Sequence, residues 1–175
     1  MANISEIAQL GATVLRLPAQ AVADTQSDEI QQIIETLQDT LATTQGVGLA
    51  APQISVSKRI IIIASRPTPR YPSAPLMEPT VMINPSFDTL SDSKEKDWEG
   101  CLSIPGIRAR VPRFTQIRIH YTDQQGGLIE LSLDGFIARI FQHEFDHLEG
   151  RVYLDRVEDN RDIIAECEYL KLIAD

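Results

Sequence analysis

Hydrophobic positions change their period along this chain, and each period points to a different element. From Ser27 onward, Ile30, Ile33, Ile34, Leu37 and Leu41 recur at three- and four-residue steps, and Asp28 and Glu29 stand where acids favour a helix dipole. The spacing predicts an amphipathic helix ending near Gly46. Residues 59–64 and 81–84 are short β-branched runs bounded by turn residues, the pattern of strands. Ile117, Ile119 and Tyr121 alternate with Arg118 and His120, residues 123–127 supply a turn, and 128–133 complete a hairpin. After Asp134, read as a cap, Ile137, Ile140, Phe141, Phe145 and Leu148 mark a second helix, which Gly150 closes. Ile163, Ile164, Cys167, Leu170 and Leu172 suggest a terminal amphipathic helix over 160–174, with Cys167 on its apolar side. Residues 66–79 hold five of the ten prolines and read as an irregular loop.

The second helix carries His143-Glu144-Phe145-Asp146-His147. A spacing of four residues puts the two imidazoles about 40° apart on one helix face, so both can reach one ion. Glu144 borders that face and is placed to handle a proton from water at the ion. A catalytic site of this type needs a third protein donor and one open position. Cys101 is the candidate, in Glu99-Gly100-Cys101-Leu102-Ser103, where Gly100 lets backbone approach closely; read alone, it is a buried structural cysteine. A third segment, Gly46-Val47-Gly48-Leu49-Ala50-Ala51-Pro52-Gln53, reads either as a tight turn or as an open strand edge. As an edge it would pair with an extended peptide, with the Gln53 amide offered to a carbonyl oxygen. The expected fold is α+β, with mostly antiparallel strands around a central helix that carries the His-Glu-x-x-His motif.

Composition narrows the partners. At 175 residues, with 43% hydrophobic and 23% charged residues, the chain has the proportions of one globular domain, expected to span 1–175. The formal net charge of −9 opposes free nucleic acid and anionic lipid, and no apolar run approaches the ~20 residues of a membrane span. Two cysteines and no leader-like start point to a cytoplasmic protein. The acidity sits at the ends: residues 1–50, 51–157 and 158–175 carry −5, 0 and −4.

The three motif segments together resemble the peptide deformylase family, whose signatures are Gly-x-Gly-x-Ala-Ala-x-Gln, Glu-Gly-Cys-Leu-Ser and Gln-His-Glu-x-Asp-His-Leu. They stand in order at 46–53, 99–103 and 142–148, and Gly11, Val14, Leu15, Arg16 and Ala19 extend the likeness over most of residues 7–157. The resemblance implies that Cys101, His143 and His147 bind one divalent metal ion and that Glu144 is the general acid and base. It also implies that Gln53 and the Leu102 N–H stabilise the oxyanion, and that Glu99 and Arg113 help hold the site. It points to Fe(II), with Zn, Ni or Co able to substitute. The implied reaction removes the formyl group from N-formylmethionyl peptides, the new ends of nascent chains, and releases formate. Val47, Gly48, Gly100, Phe136 and Ile140 are expected to line the substrate cleft, with Phe136, Ile140 and Val47 around the methionine side chain.

Two other readings share parts of this pattern. A zinc endopeptidase has the same helix motif but takes its third ligand downstream, where only Glu149, Glu158, Glu166 and Glu168 remain. A non-enzymatic, metal-stabilised interaction module needs a fourth protein ligand, and His120 reads instead as a solvated or packed strand residue. Some bacterial members of the family dock on the ribosome through a basic C-terminal helix. Here Glu158, Asp159, Asp162, Glu166, Glu168 and Asp175 face only Arg161 and Lys171, which argues against such docking. The segment is expected to pack on the domain.

Overall fold

Four consecutive isoleucines set the layering of the computed structural model, which describes residues 3–174. Asp175, counted among the acids of the tail, lies outside them. Ile60, Ile61, Ile62 and Ile63 open strand β2 (Ile60–Ser65), and alternate side chains of a strand point to opposite faces. Ile61 and Ile63 join Ala138, Ile140 and Phe141 of helix α2 (Gly135–Leu148). Ile60 and Ile62 join Ile30, Ile34 and Leu37 of helix α1 (Asp28–Ala42). A strand apolar at every position is one covered on both sides, and each buried isoleucine contributes about 1.5–3 kcal/mol.

The remaining strands are β1 (Gly48–Ala50), β3 (Met77–Thr89), β4 (Lys94–Cys101), β5 (Ile104–Phe114), β6 (Gln116–Thr122), β7 (Leu128–Asp134) and β8 (Ile163–Ala165). They form an antiparallel five-stranded sheet in the order β1-β2-β3-β6-β7 and an antiparallel three-stranded sheet β4-β5-β8. Helix α2 packs against strands of both. The α+β architecture and its central helix therefore match the expectation.

Several local readings are corrected. The terminal helix begins later: residues 160–162 make a 3₁₀ turn, Ile163 and Ile164 pair with β5 as β8, and only α3 (Glu166–Leu172) is helical. Cys167 is exposed, and the buried residue of α3 is Tyr169. Asp134 occupies the N-cap position of α2 without a side-chain capping bond. The irregular loop is residues 66–76, because Met77 starts β3 and Pro79 lies within it, where the β2–β3 register shifts between Ile63 and Ser65. Strands β4 and β5 had no sequence signal: β4 is charged along most of its length, and Pro105, Gly106 and Pro112 interrupt β5.

Candidate active site

Helix α2 ends in a way that fixes its histidines. Gly150 has φ +70, its N–H reaches the His147 carbonyl, and the Arg151 N–H reaches the Asp146 carbonyl at 2.9 Å, the two bonds of a Schellman cap. One turn and two turns before that cap, His147 and His143 face the end of β4. The sulfur of Cys101 and one nitrogen of each histidine lie within 4.8 Å of one another. His143 turns Nδ1 to Glu99 Oε2 at 2.9 Å, which leaves Nε2 for the site, and His147 Nε2 lies 3.4 Å from Cys101 Sγ. Glu99 and Cys101 stand two residues apart at the end of β4, where the pairing with β5 shifts register between them, and each meets α2, Glu99 at His143 and Cys101 at His147.

Behind the donors runs a buried chain of charges. Arg113 donates Nε and Nη2 to Glu99 at 2.8 and 3.0 Å and Nη1 to Asp146 at 2.6 Å. Arg156 donates to the other oxygen of Asp146 at 2.7 Å. Arg139 gives Nη1 to Glu99 at 3.0 Å and also binds the Val111 and Glu95 carbonyls, each at 2.7 Å, stitching α2 to both β4 and β5. Burial pushes the Glu99 carboxyl upward, but Arg113 and then His143 outweigh it and hold the group well below the carboxylate range. Glu99 therefore stays ionised and orients the His143 ring.

The donors fit a divalent cation. Burial lowers the basicity of His143, yet Cys101 and Glu99 beside it raise its pKa well above the ordinary histidine value. The negative charge that retains a proton there is the charge that retains a metal ion. Burial, with His143 and Arg113, holds His147 well below its usual value, in the neutral form that ligates. One thiol and two imidazoles suit zinc or ferrous iron. Burial raises Glu144 to about 7, against the pull of His143, and its Oε2 has no hydrogen-bond partner among the described residues. A carboxyl poised near neutrality beside a cation site is suited to taking and returning a proton.

Two glycines form the walls in front of these groups. A Cβ on Gly48 would stand 2.8 Å from Cγ and Cδ of Glu144, so only glycine admits that carboxylate. Val47 accepts the Ala64 N–H at 2.7 Å and Gly48 sits opposite Ile63, so the N–H and C=O of Gly48 point away from β2 to the open edge of the sheet. Across the cleft lies Gly100. Gln53 accepts the Ala50 N–H through Oε1 at 2.9 Å, which aims its Nε2 at Ser103 Oγ, 3.2 Å away, and Cys101 Sγ, 3.5 Å away. Leu102 and Ser103 form the two-residue loop between β4 and β5, and the Leu102 N–H has no backbone partner among the described residues.

One cavity is lined by Val47, Gly48, Gln53, Glu99, Gly100, Cys101, Leu102, Phe136, Ile140, His143 and Glu144. Arg113 stands behind Glu99, outside that lining, and His147 is fully buried at its back. Sequence reasoning passed over Arg139, Asp146 and Arg156 as parts of the charge chain, and Tyr153, whose ring stacks on His143 at 5.7 Å. A signal existed for Arg139: it lies four residues before His143, on the same helix face. The glutamates an endopeptidase would need are engaged elsewhere: Glu149 with Arg59, Glu158 with Lys96, Glu166 with Arg70 and Arg108, Glu168 with Lys171. His120 is partly exposed between Asp88 and Glu130.

The chain matches the family model of polypeptide deformylase over residues 4–162. It is 52% identical over 167 residues to peptide deformylase 2 of a Nostoc species, covering 95% of this chain and 93% of that one. Peptide deformylase 1 of Nitrosomonas europaea is 43% identical, covering 90% of each chain. The fold superposes on the Met-Ala-Ser-bound class I type b peptide deformylase of Acinetobacter baumannii with a TM-score of 0.86 at 40% identity, covering 90% of this chain and 100% of that one. A Synechococcus elongatus peptide deformylase in complex with actinonin gives 0.79 at 36% identity, covering 96% and 85%. With family model, relatives and fold in agreement over nearly its whole length, the chain belongs to the polypeptide deformylase family, hydrolases that remove the N-formyl group from new polypeptides.

Proposed function

We propose that this chain deformylates N-formylmethionyl peptides at a single divalent cation held by Cys101 Sγ, His143 Nε2 and His147 Nε2. The observation that carries the reading is the convergence of these three atoms beside the buried, unpartnered carboxylate of Glu144. When bound, the cation supplies Lewis acidity that makes water a nucleophile at neutral pH. An extended peptide pairs with the outward N–H and C=O of Gly48, and its first side chain enters between Phe136, Ile140 and Val47. As water adds to the formyl carbon, negative charge gathers on the former carbonyl oxygen. Gln53 Nε2, giving up its long contact with Cys101, and the Leu102 N–H donate to that oxygen. Glu144 accepts a proton from the attacking water and passes it to the amine as the carbon–nitrogen bond breaks, leaving formate and a free N-terminus. Glu99, fixed by Arg113 and Arg139, keeps His143 in register.

Fe(II) is the proposed native ion, and Zn, Ni or Co are substitutes. A thiol ligand beside ferrous iron is vulnerable to oxidation, which favours a cytoplasmic, reducing setting. No helix among the described residues is long and apolar enough to cross a membrane. Helix α2 packs on both sheets, which supports reading residues 1–175 as one catalytic domain. Ribosome docking through residues 158–175 is not part of the proposal, since β8 pairs with β5 and Tyr169 is buried. A pelleting assay in which deletion of 160–175 abolishes ribosome binding would overturn that point. The function is tested by formate release from formyl-Met-Ala together with metal analysis of Cys101→Ala. The variant is expected to lose both metal and activity, whereas an endopeptidase with a downstream ligand would keep its metal.

A further inference from the structure

The cleft has a wall that none of the motifs contains. Tyr71, from the 66–76 loop, lies against Phe136 with ring centroids 4.9 Å apart, and both line the cavity that holds Cys101 and Glu144. Within the loop itself the backbone is tied by a short bridge between Thr68 and Tyr71 and by the Ala74 N–H, which donates to the Tyr71 carbonyl at 3.2 Å. Further support comes from β5 and from the far end of the chain. Arg108, buried in β5, donates Nη1 to the Tyr71 hydroxyl at 2.7 Å and Nη2 to Glu166 Oε1 at 3.0 Å. Glu166 also takes Nε of Arg70 at 3.0 Å, and Tyr169 donates its hydroxyl to the Arg70 carbonyl at 2.7 Å. The same Arg108 guanidinium fills the space a Cβ on Gly100 would occupy, 2.6 Å from its central carbon. A helix as short as α3 has little stability alone, so these contacts join loop and tail into one unit.

We propose that Tyr71 is a specificity-determining residue, clamped by Arg108, Glu166 and Tyr169 so that its ring bounds the space beside Phe136. The inference rests on the deformylase reading and deepens it. A ring packed at a tilt against Phe136 and hydrogen-bonded through its hydroxyl to a buried guanidinium does not swing aside without breaking a charge-assisted bond. The space it bounds admits a narrow, flexible chain such as the thioether of methionine and resists a broad ring. Glu166 and Tyr169 act through Tyr71 and are positioning residues, which gives the acidic tail a part in substrate choice.

The test compares kcat/KM for formyl-Phe-Ala with that for formyl-Met-Ala, with metal content measured alongside. Tyr71→Ala is expected to raise the ratio about tenfold at unchanged metal content. Glu166→Gln, at a partly exposed side chain, is expected to raise it less, and the double variant no further than Tyr71→Ala, because both act on one wall. An unchanged ratio in Tyr71→Ala, or an equal loss on both peptides, overturns the inference while the wild type still turns over formyl-Met-Ala. If Tyr71→Ala does not fold, the ratio of Glu166→Gln decides alone. A wild type that releases no formate from either peptide overturns the deformylase reading, and this inference with it.

Discussion

Glu144 keeps a carboxylate oxygen buried without a partner among the described residues, and a glycine stands where any side chain would collide with it. Native chains rarely leave such a group unless something is to be bound or moved there. Glu144→Gln is therefore expected to retain metal, by atomic absorption, while kcat for formate release falls about a thousandfold. Gln53→Ala removes one donor to the developing oxyanion and should cost about a hundredfold in kcat with a smaller change in KM. The motif residues were legible in the sequence because an i, i+4 histidine pair has one geometric meaning on a helix. For Arg139 the spacing showed only the helix face it shares with His143, and it is the fold that brings Glu99 and two strand carbonyls to it.

Among the elements, α2 was the most legible, from its apolar spacing to the closing glycine. Gly150 serves two purposes: it holds φ +70, and a Cβ there would stand 2.8 Å from the backbone of Arg16. Gly150→Ala is expected to lower stability by about 1–3 kcal/mol in urea denaturation, through backbone strain and this contact. Strands β4 and β5 were the least legible, because their residues were selected by the site rather than by strand propensity. Glu99 and Arg113, which interrupt any apolar pattern, face inward as ions. Arg113→Met leaves Glu99 and Asp146 buried with less compensation, and a loss of about 3–5 kcal/mol in the same denaturation experiment is expected. The terminal segment misled for the opposite reason. Its apolar residues suggested a helix face, but Ile163 and Ile164 find their partners along the β5 edge.

For the molecule as a whole, the charge pattern and the fold now explain each other. The formally balanced middle holds the cleft, while the acidic tail returns to it through Glu166, neutralising Arg70 and Arg108. Net charge alone concealed that arrangement, because it reports composition and not pairing. The donors come from one helix and one strand belonging to a separate sheet, so a cation bridging them also ties the layers together. Removing it with a chelator is expected to lower thermal stability by about 2–4 kcal/mol equivalents, measured as a fall in Tm that Fe(II) or Zn restores in the wild type but not in Cys101→Ala. The most direct test of the central claim is formate release from formyl-Met-Ala by protein purified anaerobically with Fe(II). The account predicts one formate for each free amine formed, with turnover abolished in Cys101→Ala; no formate from the metal-loaded wild type would contradict it.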